Sequence, residues 1–229
     1  MDTAGVQCHG SRGGVSARKS TQLLSPFQTE VAQLFYSLPE SKHFLLAGGA
    51  ALLAHRISSR PTRDLDFFTW PGHATVDAAV ASFESAARER KWSVTRVKQS
   101  PDFCRLQIDG GEQLIVDFAV DSAPVHPVVI TRFGPSYSPE ELGARKLLAL
   151  FERAEARDFT DVHLLAMRFG RPLLLKDAKL IDPGFEPAVL AQMFMTLGRF
   201  RDDELPVDHD QIPGLREYFK DWGEELTRR

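Results

Sequence analysis

From residue 26 to about 38, apolar side chains at Phe27, Val31, Leu34 and Phe35 recur at helical spacing, behind a Ser25 suited to cap a helix start. The pattern then switches. Phe44-Leu45-Leu46-Ala47 is a continuous apolar run ending in Gly48-Gly49, with an alanine- and leucine-rich segment behind it. That order predicts a buried strand, a tight turn and a helix starting close behind. In Asp64-Leu65-Asp66-Phe67-Phe68 the period becomes two, which puts both aspartates on one strand face and Leu65 and Phe67 on the other. After Pro71-Gly72, the spacing of Val76, Ala79, Val80 and Phe83 predicts a helix over 73–91. Strands are predicted at 92–97, 103–108 and 114–120, the last two joined at Asp109-Gly110-Gly111, a hairpin signal.

Pro124 and Pro127 mark a change of character, with a short strand predicted at 128–131. Ser138-Pro139-Glu140-Glu141 reads as a helix start: cap, proline in the first position, acids in the first turn. Leu142, Leu147, Leu148, Leu150 and Phe151 continue that helix, and Phe159, Val162, Leu165 and Met167 outline the apolar face of the next. Leucines at 173–175 and 180 follow, then a helix over 189–200, a loop at 206–210 and an aromatic-rich closing segment over 215–226. The expected architecture is an α/β domain over 25–135, with a small mixed sheet flanked by helices, and a helical domain over 136–229 that closes over a cleft. Residues 1–24, rich in Gly, Ser, Arg and Lys without an apolar period, predict a disordered arm. Gly13 to Ser20 approximates a phosphate-binding P-loop, but Arg18 replaces its second glycine and no strand precedes it. Gly10-Ser11 has no acidic strand nearby to complete it.

Composition narrows the picture modestly. With 229 residues, 43% hydrophobic and 26% charged, the chain can bury a substantial core. A formal net charge of −3 carries no global signature of nucleic-acid binding, so any RNA contact must come from a local basic surface. Two cysteines, Cys8 and Cys104, suit a reducing compartment rather than a disulfide framework. No apolar run approaches the ~20 residues of a membrane span and no secretory signal opens the chain, so a cytoplasmic protein without a membrane partner is expected.

The candidate chemistry gathers around two stretches. Gly48 and Gly49 let backbone N–H groups approach a ligand with no Cβ in the way, and a helix start there favours an anion such as phosphate. The adjacent carboxylates of Asp64 and Asp66 repel each other, so a hard cation such as Mg²⁺ is their natural partner. In the strand Leu114-Ile115-Val116-Asp117-Phe118, Asp117 is costly to bury unless paired; it is either an edge residue facing solvent or a third metal carboxylate. Asp121 competes for that role from the strand end. On the helix after Ser138, Lys146, Arg153 and Arg157 are spaced by seven and four residues and line one side. Asp208-His209-Asp210 has ligand residue types without a partner cluster and reads as a polar loop, and His55 reads as a helix-surface residue within reach of a nucleotide.

The patterns Gly-Gly-Ala-Ala-Leu at 48–52, Arg-x-Thr-x-Asp-Leu-Asp-Phe at 60–67 and Lys-x-x-Ala-Leu-x-x-Arg-x-x-x-Arg-Asp-x-x-Asp at 146–161 resemble the polymerase-β-like nucleotidyltransferase superfamily. More narrowly, they resemble the AbiEii/MenT-type nucleotidyltransferases, many of them toxins of toxin–antitoxin pairs. The resemblance covers about residues 44–168. It implies Mg²⁺ held by Asp64, Asp66 and Asp117, with the third acid on a strand antiparallel to the first. It implies a nucleoside triphosphate approached by Gly48 and Gly49 and bound by Lys146 and Arg153. Asp158 would complete the site, either organising the basic side chains or assisting deprotonation, and Asp161 would support structure or an ion pair. Thr62 would hydrogen-bond a phosphate or the acidic strand, at a position where some members are regulated by modification. The implied acceptor is RNA, above all the 3′ end of tRNA, contacted by a rim drawn from Arg56, Arg60, Arg63, Arg145, Arg153, Arg157, Arg168 and Arg171. A cognate antitoxin protein is the implied partner. A nucleotidyltransferase acting on a small-molecule or protein hydroxyl, or a non-catalytic nucleotide-binding module, would share these motifs.

Overall fold

The computed structural model describes residues 24–228; the segment resembling a P-loop, Gly10-Ser11 and nearly all of the predicted arm lie outside the described residues. Leu24, read with that arm, is buried in the core. Helix α1 (Pro26–Tyr36) starts in a capping box: Gln28 N donates to Ser25 Oγ at 3.1 Å while Ser25 N donates to Gln28 Oε1 at 2.8 Å. Then come β1 (Leu45–Ala47), α2 (Gly48–Ala54), β2 (Asp64–Thr69), α3 (Val76–Glu89), β3 (Ser93–Ser100), β4 (Phe103–Asp109) and β5 (Gln113–Val120). A short hairpin of β6 (Val129–Thr131) and β7 (Gly134–Ser136) precedes α4 (Pro139–Arg153), α5 (Ala156–Phe169), α6 (Arg171–Ile181), α7 (Pro187–Met195) and α8 (Ile212–Thr227).

The strands form one mixed, seven-stranded sheet in the order β3-β4-β5-β2-β1-β7-β6. The resemblance implied antiparallel acidic strands; in the structure β2 and β5 run parallel, with Asp66 opposite Asp117. The reason is connectivity. Helix α3 carries the chain from the end of β2 back to the starting edge, so β3 runs in the direction of β2, and the two antiparallel steps to β4 and β5 restore that direction. Helices α1 and α3 cover one face of the sheet. Their interface is aromatic: Phe35 sits with ring centroids 4.5 Å from Phe67, 5.0 Å from Phe118 and 5.4 Å from Phe44. Phe35→Ala is expected to cost about 3–5 kcal/mol in urea denaturation, because five surrounding rings in a fixed sheet cannot collapse into the space.

Helix α4 stands over the opposite face. Its start is fixed as the sequence predicts, with Glu141 N donating to Ser138 Oγ at 3.2 Å. Glu141, fully buried, accepts from Val125 N and His126 N through Oε2 and from Arg145 through Oε1, which staples the 121–127 connection to the helix. Ala154 in a left-handed conformation (φ 48°) ends α4 and turns the chain directly into α5. Met167, expected on the apolar face of α5, is 67% exposed. Strand β7 was not predicted, since Gly134-Pro135-Ser136 has none of the β-forming residues that signal a strand. Among the described residues, no helix is long and apolar enough to cross a membrane.

Candidate active site

The acidic strand is held at its entry by a chain of contacts. Gln28 of α1 donates from Nε2 to the Thr62 carbonyl at 2.9 Å, and the Thr62 hydroxyl donates to Asp64 Oδ1 at 2.6 Å. Burial along β2 alternates as its period of two requires, with Leu65, Phe67 and Thr69 inward and Asp64, Asp66 and Phe68 on the other face. That face floors a cleft of about 660 Å³, whose lining includes Gly48, Gly49, Arg60, Thr62 and Asp117 from the sheet side and Lys146, Arg153 and Arg157 from α4 and α5. The volume falls in the range of small-molecule sites.

Gly48 is the first residue of α2 and takes φ +60°, a conformation that a Cβ penalises. A Cβ there would overlap the Asp66 carboxylate, and one on Gly49 would lie 2.6 Å from Thr62 Oγ1. The glycines therefore let the acidic strand and its entry loop come up against the backbone of the turn. With seven residues, α2 is too short for much of a dipole, so any phosphate here depends on these exposed backbone groups.

The three carboxylates have different surroundings. Asp64 shares Oδ1 with Thr62 and lies 3.4 Å from Arg157 Nη1. Asp117 is gripped by Arg105, whose Nε donates to Oδ1 at 2.8 Å and Nη2 to Oδ2 at 2.6 Å. Asp66 has no hydrogen-bond or ion-pair partner among the described residues. Burial, then the charges of Asp64 and Asp117, push its carboxyl up to about 7, and Lys146 and Arg157 only partly offset them. Such a crowded, under-neutralised set of oxygens fits a divalent cation by its chemistry. Among the described residues, however, no three ligand side chains are already turned toward a common ion position. The reason is visible: Asp117 and Asp64 are turned to arginine and threonine partners.

The cationic wall is organised by two buried acids. Asp161, fully buried, accepts from Lys146 Nζ at 2.7 Å and from Arg60 Nη2 at 3.0 Å, so it fixes both cations beside the cleft. Asp158, also fully buried, closes a capping box at the start of α5 and takes Arg153 bidentately at 3.0 and 3.1 Å. It stands behind the cleft lining, where its geometry organises Arg153. Arg145 is committed elsewhere, bonded to Asp121 Oδ2 at 2.6 Å and to Glu141, with its guanidinium 3.9 Å over the Tyr137 ring. His55 faces away from the cleft: its Nε2 lies 3.0 Å from the Tyr137 carbonyl oxygen, and burial pushes it below the usual histidine range. Asp208-His209-Asp210 is exposed, with Asp208 immediately before a short turn at His209–Gln211.

One participant and one pairing escaped the sequence reading. Arg105 sits directly across from Asp117 in the β4–β5 ladder, and counting back from the Asp109-Gly110-Gly111 hairpin would have paired them. Asp161 was expected to support structure or an ion pair; what the sequence did not name is its two partners, Lys146 and Arg60, since that pairing needs α5 packed on α4 and on the 58–62 loop.

The comparisons with known proteins agree with this architecture. No curated protein matches the sequence. The chain superposes on JHP933 from Helicobacter pylori with TM-score 0.52 and 18% identity, covering 90% of this chain and 95% of that one. It superposes on MenT4, a nucleotidyltransferase toxin from Mycobacterium tuberculosis H37Rv, with TM-score 0.55 and 18% identity over 88% of this chain and 84% of that one. At such identities the likeness is one of fold. Residues 33–212 match the family described as "Nucleotidyl transferase AbiEii toxin, Type IV TA system", a span that holds every carboxylate and cation of the cleft. The chain is therefore a member of the AbiEii nucleotidyltransferase toxin family.

Proposed function

We propose that this enzyme transfers a nucleotide from a nucleoside triphosphate to RNA, at the 3′ end of tRNA, as the toxin of a toxin–antitoxin pair in the cytoplasm. The observation that carries the reading is the juxtaposition of Asp64, Asp66 and Asp117 with the Lys146–Asp161–Arg60 cluster across one cleft. Asp64, Asp66 and Asp117 would hold Mg²⁺, which supplies neutralisation of the triphosphate and of the departing pyrophosphate. Gly48 and Gly49 bring backbone N–H groups to the β- and γ-phosphates. Lys146, preset by Asp161, adds a fixed positive charge there, and Arg153, preset by Asp158, adds another on the cleft wall. Asp117 orients the acceptor hydroxyl and takes its proton as the oxygen bonds to the α-phosphorus and the bond to pyrophosphate breaks. Positioning and charge stabilisation supply most of the acceleration in such chemistry.

The RNA acceptor is supported by exposed Arg56, Arg63 and Arg168. These cations have no ion-pair partner among the described residues and are free to meet phosphates in a salt-sensitive way. The rim is smaller than the sequence suggested, because Arg145 and Arg171 are bonded to internal partners. One observation favours a small-molecule or protein hydroxyl instead: Asp121, Glu152 and Asp182 share the cleft lining, and burial together with the first and last of these raises the Glu152 carboxyl. Such an end suits a cationic acceptor better than a polyanion.

Incubation with total tRNA, Mg²⁺ and each labelled triphosphate separates the two. Label is expected in tRNA with the wild-type chain and to fall at least about 100-fold with Asp64→Ala or Lys146→Ala. Label absent from tRNA, in a folded protein that binds Mg-nucleotide, would discard tRNA as the acceptor and turn the search to protein and small-molecule hydroxyls.

A further inference from the structure

We propose that Arg105 is a latch on the third carboxylate, released when the triphosphate arrives and takes the guanidinium as a phosphate ligand. The inference rests on the nucleotidyl-transfer reading of the cleft. Arg105 and Asp117 are register partners on adjacent antiparallel strands, and the guanidinium spans both carboxylate oxygens at 2.8 and 2.6 Å. A cation approaching Asp117 must therefore compete with a bidentate, permanently charged partner for the same oxygens. The carboxylate is held rigidly, its side chain 9% exposed, while the arginine side chain is 44% exposed and lines the cleft. The mobile member of the pair is thus the arginine.

Among the described residues no other side chain hydrogen-bonds the guanidinium, and the Asp66 and Asp64 charges act on it without direct contact. The Phe103 ring lies 5.9 Å from its centre. The planar fork that fits a carboxylate fits a phosphate equally well, so a triphosphate lying over Asp64 and Asp66 offers the replacement partner that the resting cleft lacks. Exchanging carboxylate for phosphate turns Arg105 from a block on the site into part of the nucleotide's binding wall. The same exchange uncovers Asp117 for a cation and for the acceptor hydroxyl. The carboxylate set is then complete only in the presence of nucleotide, and cation occupancy at Asp117 follows nucleotide binding. Asp66, unpartnered, remains open to a first cation throughout.

Mn²⁺ binding to the full chain, followed by the electron spin resonance of the free ion, tests this without turnover. The proteins are the wild type, Arg105→Gln and Arg105→Lys, each titrated alone and with a non-hydrolysable α,β-methylene triphosphate of each base. Alone, the wild type is expected to take one Mn²⁺ and Arg105→Gln two, the second at least tenfold tighter than in the wild type, with Arg105→Lys between them. With nucleotide, the wild type is expected to gain the second ion. Equal Mn²⁺ occupancy of wild type and Arg105→Gln without nucleotide, with Arg105→Lys the same, overturns the latch alone. Failure of the wild type to gain an ion with nucleotide overturns the exchange. Absence of Mn²⁺ from all three proteins overturns the metal-dependent reading of the cleft, and the latch with it.

Discussion

Asp66→Asn is expected to abolish nucleotidyl transfer and, without added metal, to make the protein more stable at neutral pH. The carboxyl of Asp66, raised from 3.8 to about 7, keeps in the folded state a proton that the unfolded chain gives up near pH 4. Between those values the folded state binds more protons than the unfolded one, so stability is fully present below about pH 4 and is lost as pH rises toward 7. Asparagine removes the charge without removing the shape. Thermal unfolding in a chelating buffer should show the wild type losing more stability than the variant between pH 5 and pH 7.5. At pH 7.5 the variant should gain about 1–2 kcal/mol, roughly 2–8 °C in a chain of this size. Millimolar Mg²⁺ should close the gap, because a ligand of the folded state alone stabilises it by mass action. Wild type and variant with the same pH dependence between pH 5 and pH 7.5 without metal would contradict the account.

The second large effect is expected at Asp161. Its fully buried carboxylate faces Lys146 and Arg60, so Asp161→Ala leaves two cations beside an empty buried site. Removing one partner of a buried ion pair costs about 3–5 kcal/mol, and that loss should appear in urea denaturation. Transfer activity should fall further than stability explains, since Lys146 loses the contact that aims it. A double variant, Asp161→Asn with Lys146→Met, should recover part of the stability because the orphaned charge is gone, yet recover no activity. Asp158→Asn should cost less, because Arg153 is 45% exposed at its side chain and can turn to water. Equal losses at the two aspartates would argue against a hub at Asp161.

The sequence carried much of this arrangement because its signals were local. The alternation in 64–68 placed Asp64 and Asp66 on one face, and the Ser-Pro-Glu-Glu start fixed α4 and hence the face bearing Lys146 and Arg153. What stayed hidden depended on contacts distant in sequence. Arg105 alternates with buried Cys104 and Leu106 and reads as a solvent-facing strand residue until the ladder sets it against Asp117. The parallel course of β2 and β5 depends on which way α3 crosses, which no residue in either strand encodes. The predicted basic rim thinned because Arg145 and Arg171 meet buried or neighbouring acids that only the packed helices provide. Strand β7 owes its existence to pairing with Leu46 rather than to its own residues.

The split of the cleft along the chain also bears on how the enzyme is made. The three carboxylates proposed to hold the metal, Asp64, Asp66 and Asp117, are encoded by residue 117, whereas Lys146, Arg153, Arg157 and Asp161 lie on helices that begin only at residue 139. Proteins emerge from the ribosome N-terminus first, so the sheet leaves the exit tunnel well before its cationic wall. A nascent chain at that stage has mutually repelling acids and only Arg60 and Arg105 of the cleft-lining cations. For an enzyme of a toxin family, chemistry is thereby expected to wait until α4 and α5 have folded onto the sheet, and a chain terminated early in α4 is expected to show no transfer activity.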